Sequence, residues 1–485
     1  MPNPELQRLI ADGPAPLSIG GERVPASDGA TMVVLDPASG EPLAEVASAS
    51  VADALDAVTA AYSAAGEWAA TPPRVRAEIL RRAFEIMVRR ADEIAELIVM
   101  EMGKALPEAR AEATYAAEFF RWFSEEAVRN QGSIATAPGG DKRIIALHQP
   151  IGVSLLITPW NFPAAMATRK IGPAFAAGCP VILKPASDTP LTALVLADIL
   201  AEAGAPPGTV NVIPSRRSSA VGEAVLTDPR VRNLSFTGST EVGRKLLEVT
   251  ARHVVRSSME LGGNAPFLVF DDADIEAAVD GAMVAKMRNG GQSCIAANRI
   301  LVHAAVAAEF AAQFSTAMAR VRTGGGLDSG LGPMINEAAQ SEMAELVAVS
   351  TGAGAAVATG GMAPDRSGFF FEPTVITNVA HDNPVLAREV FGPLAPIIRF
   401  EDEEEALALA NDTEHGLAAY VYTSDLARGL RVAEAIETGM VGINRGLISD
   451  PAAPFGGVKE SGLGREGGEY GVFEFLETKY IAADW

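Results

Sequence analysis

Between residues 150 and 250 the chain alternates short apolar runs with helical patterns, and this alternation constrains the fold more than any other feature. Val153-Ser154-Leu155-Leu156-Ile157, Val181-Ile182-Leu183-Lys184, Val210-Asn211-Val212-Ile213 and Asn233-Leu234-Ser235-Phe236 each read as a buried strand. Helical patterns over 190–203, near 219–226 and after Gly238 follow the last three. Parallel strands need a crossover connection, and crossover helices cover both faces of the sheet, so such strands read as continuous apolar runs. The segment is therefore expected to form a parallel α/β sheet. A second α/β block begins near Pro266-Phe267-Leu268-Val269-Phe270 and runs to about residue 450.

The flanking regions add helices and short strands. The first fifty residues suggest strands and turns at Pro16–Gly21 and Val33–Pro37. The pattern is helical over 51–64. It is strongly so over 74–103, where Ile79, Leu80, Ala83, Ile86, Met87, Ile94, Leu97 and Ile98 recur at three- and four-residue steps. Pro107 is placed to open a further helix to about Arg129. No period of 20–50 residues and no low-complexity tract is present. A chain of 485 residues suggests two or three domains.

Composition excludes several function classes. Apolar residues make up 48% of the chain, enough for sizeable cores, and the formal net charge is -22. That charge argues against nucleic acid and anionic membrane surfaces as partners. No uninterrupted apolar run reaches the ~20 residues of a membrane span. The start, Met1-Pro2-Asn3-Pro4-Glu5, lacks the basic and apolar regions of a signal peptide. Two cysteines in unlike settings point to a reducing compartment, and a cytoplasmic location is expected. His148, His253, His303, His381 and His415 are scattered without metal-ligand spacing, so no metal site is expected.

Four short segments carry chemistry. Cys294 follows the polar, glycine-rich run Arg288-Asn289-Gly290-Gly291-Gln292-Ser293, whereas Cys179 borders the apolar stretch Pro180-Val181-Ile182-Leu183. Backbone N–H groups and positive charge lower a thiol's pKa and apolar burial raises it. Cys294 thus reads as a nucleophile and Cys179 as a core residue. Phe236-Thr237-Gly238-Ser239-Thr240-Glu241-Val242-Gly243 links a strand to a helix. Its glycines either admit a phosphate at the helix N-terminus or serve packing. Asn161, in Trp160-Asn161-Phe162-Pro163, is either an amide donor at a strand's carboxyl end or a turn residue before proline. Glu260, between Met259 and Leu261, is either a partly buried base with a raised pKa or an ion-pair partner of Arg252 or Arg256.

Taken in order, these segments resemble the aldehyde dehydrogenase superfamily over essentially the whole chain. Lys184-Pro185-Ala186, Glu260-Leu261-Gly262-Gly263, Gly291-Gln292-Ser293-Cys294, Glu389-Val390-Phe391-Gly392-Pro393 and Pro454-Phe455-Gly456-Gly457 complete the set. The resemblance implies a Rossmann-like parallel-sheet cofactor domain (1–129 and 151–259) and an α/β catalytic domain (260–457). It adds a small β oligomerisation element (130–150 and 458–485) and a homodimer or homotetramer. It also implies covalent catalysis. Cys294 attacks the aldehyde to give a thiohemiacetal, with the Asn161 side chain and the Cys294 backbone N–H holding the oxyanion. Hydride passes to the nicotinamide, and Glu260 activates water to release the acid from a thioester. Glu389 would hold the nicotinamide ribose, Lys184 the adenosine ribose, and Ser239 with Trp160 the pyrophosphate region. Gly238, Gly243 and Phe391 complete the expected cofactor set.

Within the superfamily the chain is most similar to the succinate-semialdehyde dehydrogenases. Thr168-Arg169-Lys170-Ile171-Gly172-Pro173, Lys286-Met287-Arg288-Asn289 and Gly446-Leu447-Ile448-Ser449 carry this likeness. It implies that Arg169, Arg288 and Ser449 bind the far carboxylate of the substrate, and an arginine fork suits a carboxylate. The alternative is that both arginines are structural ion-pair partners. Ser187 stands where NAD-preferring members often have Glu, which would repel a 2′-phosphate. NADP is therefore the expected preference, with NAD as the second cofactor and Arg216 and Arg217 as possible added charge. Ala296 replaces the second cysteine of members with a redox switch. Arg445 adds a cation near the substrate loop, which points to another acidic aldehyde, such as glutarate semialdehyde or a sulfonated aldehyde, as the alternative substrate.

Overall fold

The computed structural model describes residues 13–325 and 330–484 together with Ile10; the Met1–Glu5 run lies outside the described residues. An eight-stranded sheet carries the expected parallel core. Its five central strands lie in the spatial order Val210–Val212, Val181–Lys184, Val153–Ile157, Val231–Thr237 and Arg256–Glu260, all parallel. Antiparallel strands Leu17–Ile19 and Glu22–Val24 close one edge, and Gly462–Leu463 closes the other. The direction of winding reverses between Val153–Ile157 and Val231–Thr237. In open α/β sheets the crevice beyond the carboxyl ends at such a point is where ligands bind.

Pleat alternation explains why Val153–Ile157 and Val181–Lys184 carry apolar residues on both faces. Leu155 and Ile182 face one cluster, with Ala54, Ala57 and Val58 of helix Val51–Ala70 and Val221 of Ser218–Thr227. Leu156, Val181 and Leu183 face the opposite cluster, with helices Pro163–Ala177 and Pro190–Glu202. The helix expected over 51–64 runs on to Ala70, opened by a capping box between Ser50 and Asp53. The pattern over 74–103 is two helices, Pro73–Arg89 and Ala91–Met102. Arg90 between them has φ -102° and ψ 17°, and its guanidinium meets Glu93 at 2.6 Å. Asp92 and Glu93 then begin the second helix with the charge that a helix N-terminus favours. Both helices feed the same core, so the apolar spacing continues across the break. Pro107 does open the next helix, Leu106–Glu126.

The chain passes from Glu260 through a four-residue link into Ala265–Val269, the first strand of a seven-stranded sheet. Six of its strands are parallel: Thr374–Thr377, Leu394–Phe400, Ala297–His303, Ala265–Val269, Ala418–Tyr422 and Met440–Ile443. The carboxyl edge of the first sheet therefore lies beside the amino edge of the second, where the segment carrying Cys294 enters Ala297–His303. Ser133–Thr136, Arg143–Pro150 and Leu476–Ala483 form a separate antiparallel sheet.

Candidate active site

A cavity of about 220 Å³ opens between the two sheets. Trp160, Asn161, Arg169, Gly238, Ser239, Arg288, Cys294, Glu389, Phe391 and Ser449 of the expected residues line it. Glu260, Lys184, Ser187 and Gly243 do not.

Cys294 is partly exposed to this space. The backbone before it turns sharply: Asn289, Gly290 and Gly291 all have positive φ, at 54°, 62° and 76°. A Cβ on Gly291 would lie 2.1 Å from the Gly392 carbonyl oxygen, so only glycine fits there. Gln292 pins the loop by accepting the Ile335 N–H at 3.0 Å, and the Tyr420 hydroxyl donates to the Ile295 carbonyl at 2.7 Å. The polar sequence around Cys294 suggested a lowered pKa, and the structure reverses this. Burial pushes the thiol up to about 12; Arg169 and Arg288 pull it down, while Glu389 and Glu260 add to the rise. The glycines of that run are spent on a tight turn inside the protein. Cys179 matches its reading: it is fully buried and burial pushes it up to about 11.

Asn161 is held from behind. Its backbone carbonyl accepts from the Lys104 ammonium and the Asn289 amide, each at 2.9 Å. Lys104 is paired with Glu112, and both are buried. Glu112 in turn accepts the Ala164 N–H at 2.9 Å at the start of helix Pro163–Ala177. The Asn161 side chain donates to the Gln292 carbonyl at 3.1 Å; an amide nitrogen carries two donors, so one is left for the cavity. Sequence reasoning missed Lys104 and Glu112.

Glu260 ends its strand behind the cavity wall, 2% exposed, with Oε2 free of any partner. Burial, then the charge of Glu466, raises its pKa well above the carboxylate range, against the pull of Lys170, Arg169 and Arg465. The ion-pair alternative fails for it, since Arg252 meets Glu223 at 2.9 Å and Arg256 meets Glu474 at 3.6 Å. Lys170 is paired with Glu466 and donates to the Ser235 hydroxyl at 2.8 Å. Every residue of helix Pro163–Ala177 is buried. Two adjacent cations, Arg169 and Lys170, in so apolar a helix were the signal for this buried cluster.

The two arginines differ. Arg169 is 2% exposed and stands 4.0 Å over the Phe455 ring. It donates to the Tyr115 hydroxyl at 2.9 Å and lies 3.7 Å from Glu466, so it does have an ion-pair partner, yet its Nε and Nη1 make no hydrogen bond. Arg288 lies 4.8 Å over the Phe162 ring, with no ion pair among the described residues. Arg445 is exposed and donates to the Leu447 carbonyl at 2.7 Å. It does not line the cavity, which removes the sequence argument for a longer or more anionic substrate.

The opposite end of the cavity suits a dinucleotide. Ser239 caps helix Thr240–Ala251, and Glu389 accepts only the Gly263 N–H, at 3.0 Å; burial raises it to about 7. Trp160 and Phe391 meet edge to face at 5.4 Å. Lys184 is buried, lowered to about 8 by desolvation, and spends one donor on the Pro185 carbonyl at 3.3 Å. Its unspent donors, with half-buried Ser187 three residues on, fit ribose hydroxyls or a phosphate. Gly243 instead serves packing: a Cβ there would lie 2.5 Å from Leu261. Arg216 donates to the Val33 carbonyl at 2.9 Å and Arg217 pairs with Asp28 at 2.7 Å, so both are engaged elsewhere. Among the described residues no His, Cys, Asp and Glu group could hold a metal ion, and no helix is long and apolar enough to cross a membrane.

Comparison with known proteins places the chain in a family. The model of the aldehyde dehydrogenase family matches residues 24–481. A succinate-semialdehyde dehydrogenase of Paenarthrobacter nicotinovorans is 54% identical over 90% of this chain and 98% of its own. A glutarate-semialdehyde dehydrogenase of Pseudomonas aeruginosa is 48% identical over 96% of each chain. The crystal structure of an NADP-dependent enzyme of E. coli superposes with a TM-score of 0.96, at 48% identity over 98% of each chain.

Proposed function

The chain belongs to the aldehyde dehydrogenase family, and from that premise we propose that it oxidises succinate semialdehyde to succinate with NADP, or with NAD less well. The observation that carries the substrate is the pair of guanidinium groups on the cavity wall with Cys294. Arg169 keeps two buried donor nitrogens unspent, and Arg288 makes no ion pair among the described residues. A carboxylate at the far end of a short aldehyde satisfies both, with Ser449 as a further donor. Glutarate semialdehyde is the second reading, supported by the Pseudomonas aeruginosa relative.

Cys294, its thiol proton given up to water, adds as the thiolate to the aldehyde carbon, and the resulting oxyanion is met by the free N–H of Asn161 and the Cys294 backbone N–H. Glu260, whose pKa is already raised, accepts a proton near neutrality more readily than an ordinary carboxylate. Glycine at 456 leaves room beside the carboxylate, since a Cβ there would lie 2.8 Å from Oε1, and Glu260 acts by turning toward the cavity. There it takes a proton from the water that releases the acid from the Cys294 thioester. What the cofactor supplies when bound is a hydride acceptor, needed between thiohemiacetal and thioester. Glu389 would orient the nicotinamide ribose, Ser239, Gly238 and Trp160 would hold the pyrophosphate with Phe391 alongside, and Lys184 with Ser187 would hold the adenosine ribose and its 2′-phosphate.

The parallel sheet with its flanking helices (1–129 and 151–259) acts as the cofactor domain, and 260–457 as the catalytic domain. The antiparallel sheet of 130–150 and the chain end joins copies into a dimer or tetramer. Its exposed Ile134, Leu147, Tyr480 and Ile481 support this.

The test is kcat/KM for succinate semialdehyde, glutarate semialdehyde and butanal, each with NADP and NAD. The acidic aldehydes should lead butanal by about a hundredfold, the worth of a charge-assisted contact at ~1.5–3 kcal/mol. Equal values would remove Arg169 and Arg288 from substrate recognition. Equal or better turnover with NAD would overturn the NADP preference.

A further inference from the structure

Beyond Phe162 and Arg288 the molecule opens into a second cleft of about 620 Å³, and these two side chains wall both spaces. Arg320, at the end of helix Ala307–Arg320, and Arg322 just after it line the cleft and are exposed. The dipole of that helix accounts for a cation at Arg320. It does not account for Arg322, which lies past the helix end.

What sets this cleft apart is that three arginines share it. Other arginines are neutralised locally, as Arg388 is by Glu342 and Glu345 and Arg431 by Glu403. Arg288, Arg320 and Arg322 have no such partner among the described residues. Two acids also line the cleft. Glu112 is fully buried on Lys104, and half-buried Glu108 accepts the Asn289 N–H at 2.7 Å, with burial raising its pKa against the pull of Lys104 and Arg288. Three guanidinium groups without an ion pair among the described residues therefore line one opening of a molecule whose net charge is -22. Overall acidity repels an anionic substrate, and a local cationic mouth with low-dielectric walls reverses that field and raises the local concentration of anions.

We infer that Arg320 and Arg322, with Arg288 at the inner end, form a cationic vestibule that draws small anionic aldehydes toward Cys294. The inference rests on the reading of the substrate as an acidic aldehyde. It assigns Arg320 and Arg322 to specificity without contact at the reacting carbon, since a neutral aldehyde gains nothing from the field.

The test compares wild type with the double variant Arg320→Gln/Arg322→Gln, using succinate semialdehyde and butanal. Ionic strength is set at ~0.01 M, where screening reaches ~30 Å, and at ~0.15 M, where it reaches ~8 Å. For wild type, kcat/KM with the anion should fall at least about threefold with added salt, while butanal stays flat. In the variant, kcat/KM with the anion should drop by about threefold at low salt and lose most of its salt dependence. The loss should fall on KM for the aldehyde and leave kcat and the KM for cofactor in place, which a merely structural defect would not do. A wild-type preference for the anion, with the same kcat/KM and salt slope in the variant, overturns the vestibule alone. A wild type that treats both aldehydes alike overturns the substrate reading, and the vestibule with it.

Discussion

At the scale of single residues, the site combines two acidic groups whose pKa burial raises. Burial raises both the Cys294 thiol and the Glu260 carboxyl, and a raised acid pKa favours the neutral form. The thiolate population of the apo-enzyme should therefore rise only as pH climbs far above the ~8.5 of a free cysteine. Alkylation by iodoacetamide checks this: the rate should keep increasing into the alkaline range, and a plateau near neutrality would contradict the burial argument. The sign for Glu260 is the same. It becomes a base as pH rises through its elevated pKa, so thioester hydrolysis should slow as pH falls, starting well above the ~4.3 of an ordinary glutamate. A hydrolysis rate flat down to that value would remove Glu260 as the base. Cys294→Ala should abolish turnover and leave NADP binding intact by calorimetry. Cys294 was legible as a candidate because one of two thiols sat in a polar run. The direction of its pKa was not legible, because sequence polarity does not say that a left-handed turn takes the loop inward.

Elements explain how those residues are held. Parallel strands in which every residue is buried were readable from their apolar runs, and their crossovers followed from topology. What could not be read was side-chain pairing across elements far apart in the chain. Lys104 and Glu112 look like ordinary helix charges until helix Leu106–Glu126 packs against Pro163–Ala177 and closes the pair beneath Asn161. Breaking it by Lys104→Met leaves a carboxylate buried without its partner, which costs about 3–5 kcal/mol. Thermal unfolding should show a lower Tm, and kcat should fall because the Asn161 backbone loses a donor. A Tm within error of wild type would contradict the assignment. Gly291→Ala is a separate test of the nucleophile turn. With φ at 76° and a Cβ 2.1 Å from the Gly392 oxygen, it should lower kcat far more than the KM for cofactor. The apolar spacing over 74–103 hid a break at Arg90, because both helices present one face to one core.

On the scale of the whole molecule, a single arrangement joins two sheets so that Glu260 ends a strand of one and Cys294 leads into a strand of the other. The ordered motifs made this legible, since each lies at a strand end that the topology brings to the same crevice. The role of net charge was less visible. A charge of -22 spoke only against polyanionic partners, while the structure gathers three arginines around one mouth of that acidic body. The exposed apolar side chains of the antiparallel sheet belong to the same scale. Ile134→Lys with Ile481→Lys should shift the protein to a smaller species in light scattering coupled to gel filtration. An unchanged mass would place the oligomer contact elsewhere.

The most direct test of the account is the acyl-enzyme itself. Glu260→Gln, mixed with succinate semialdehyde and NADP and then acid-quenched, should release close to one NADPH per chain. It should carry one succinyl group on the peptide that contains Cys294, by mass spectrometry. Wild type treated alike should turn over without accumulating the adduct. A variant that cycles at the wild-type rate, or that carries the acyl group on another residue or none, would contradict the roles given to Cys294 and Glu260.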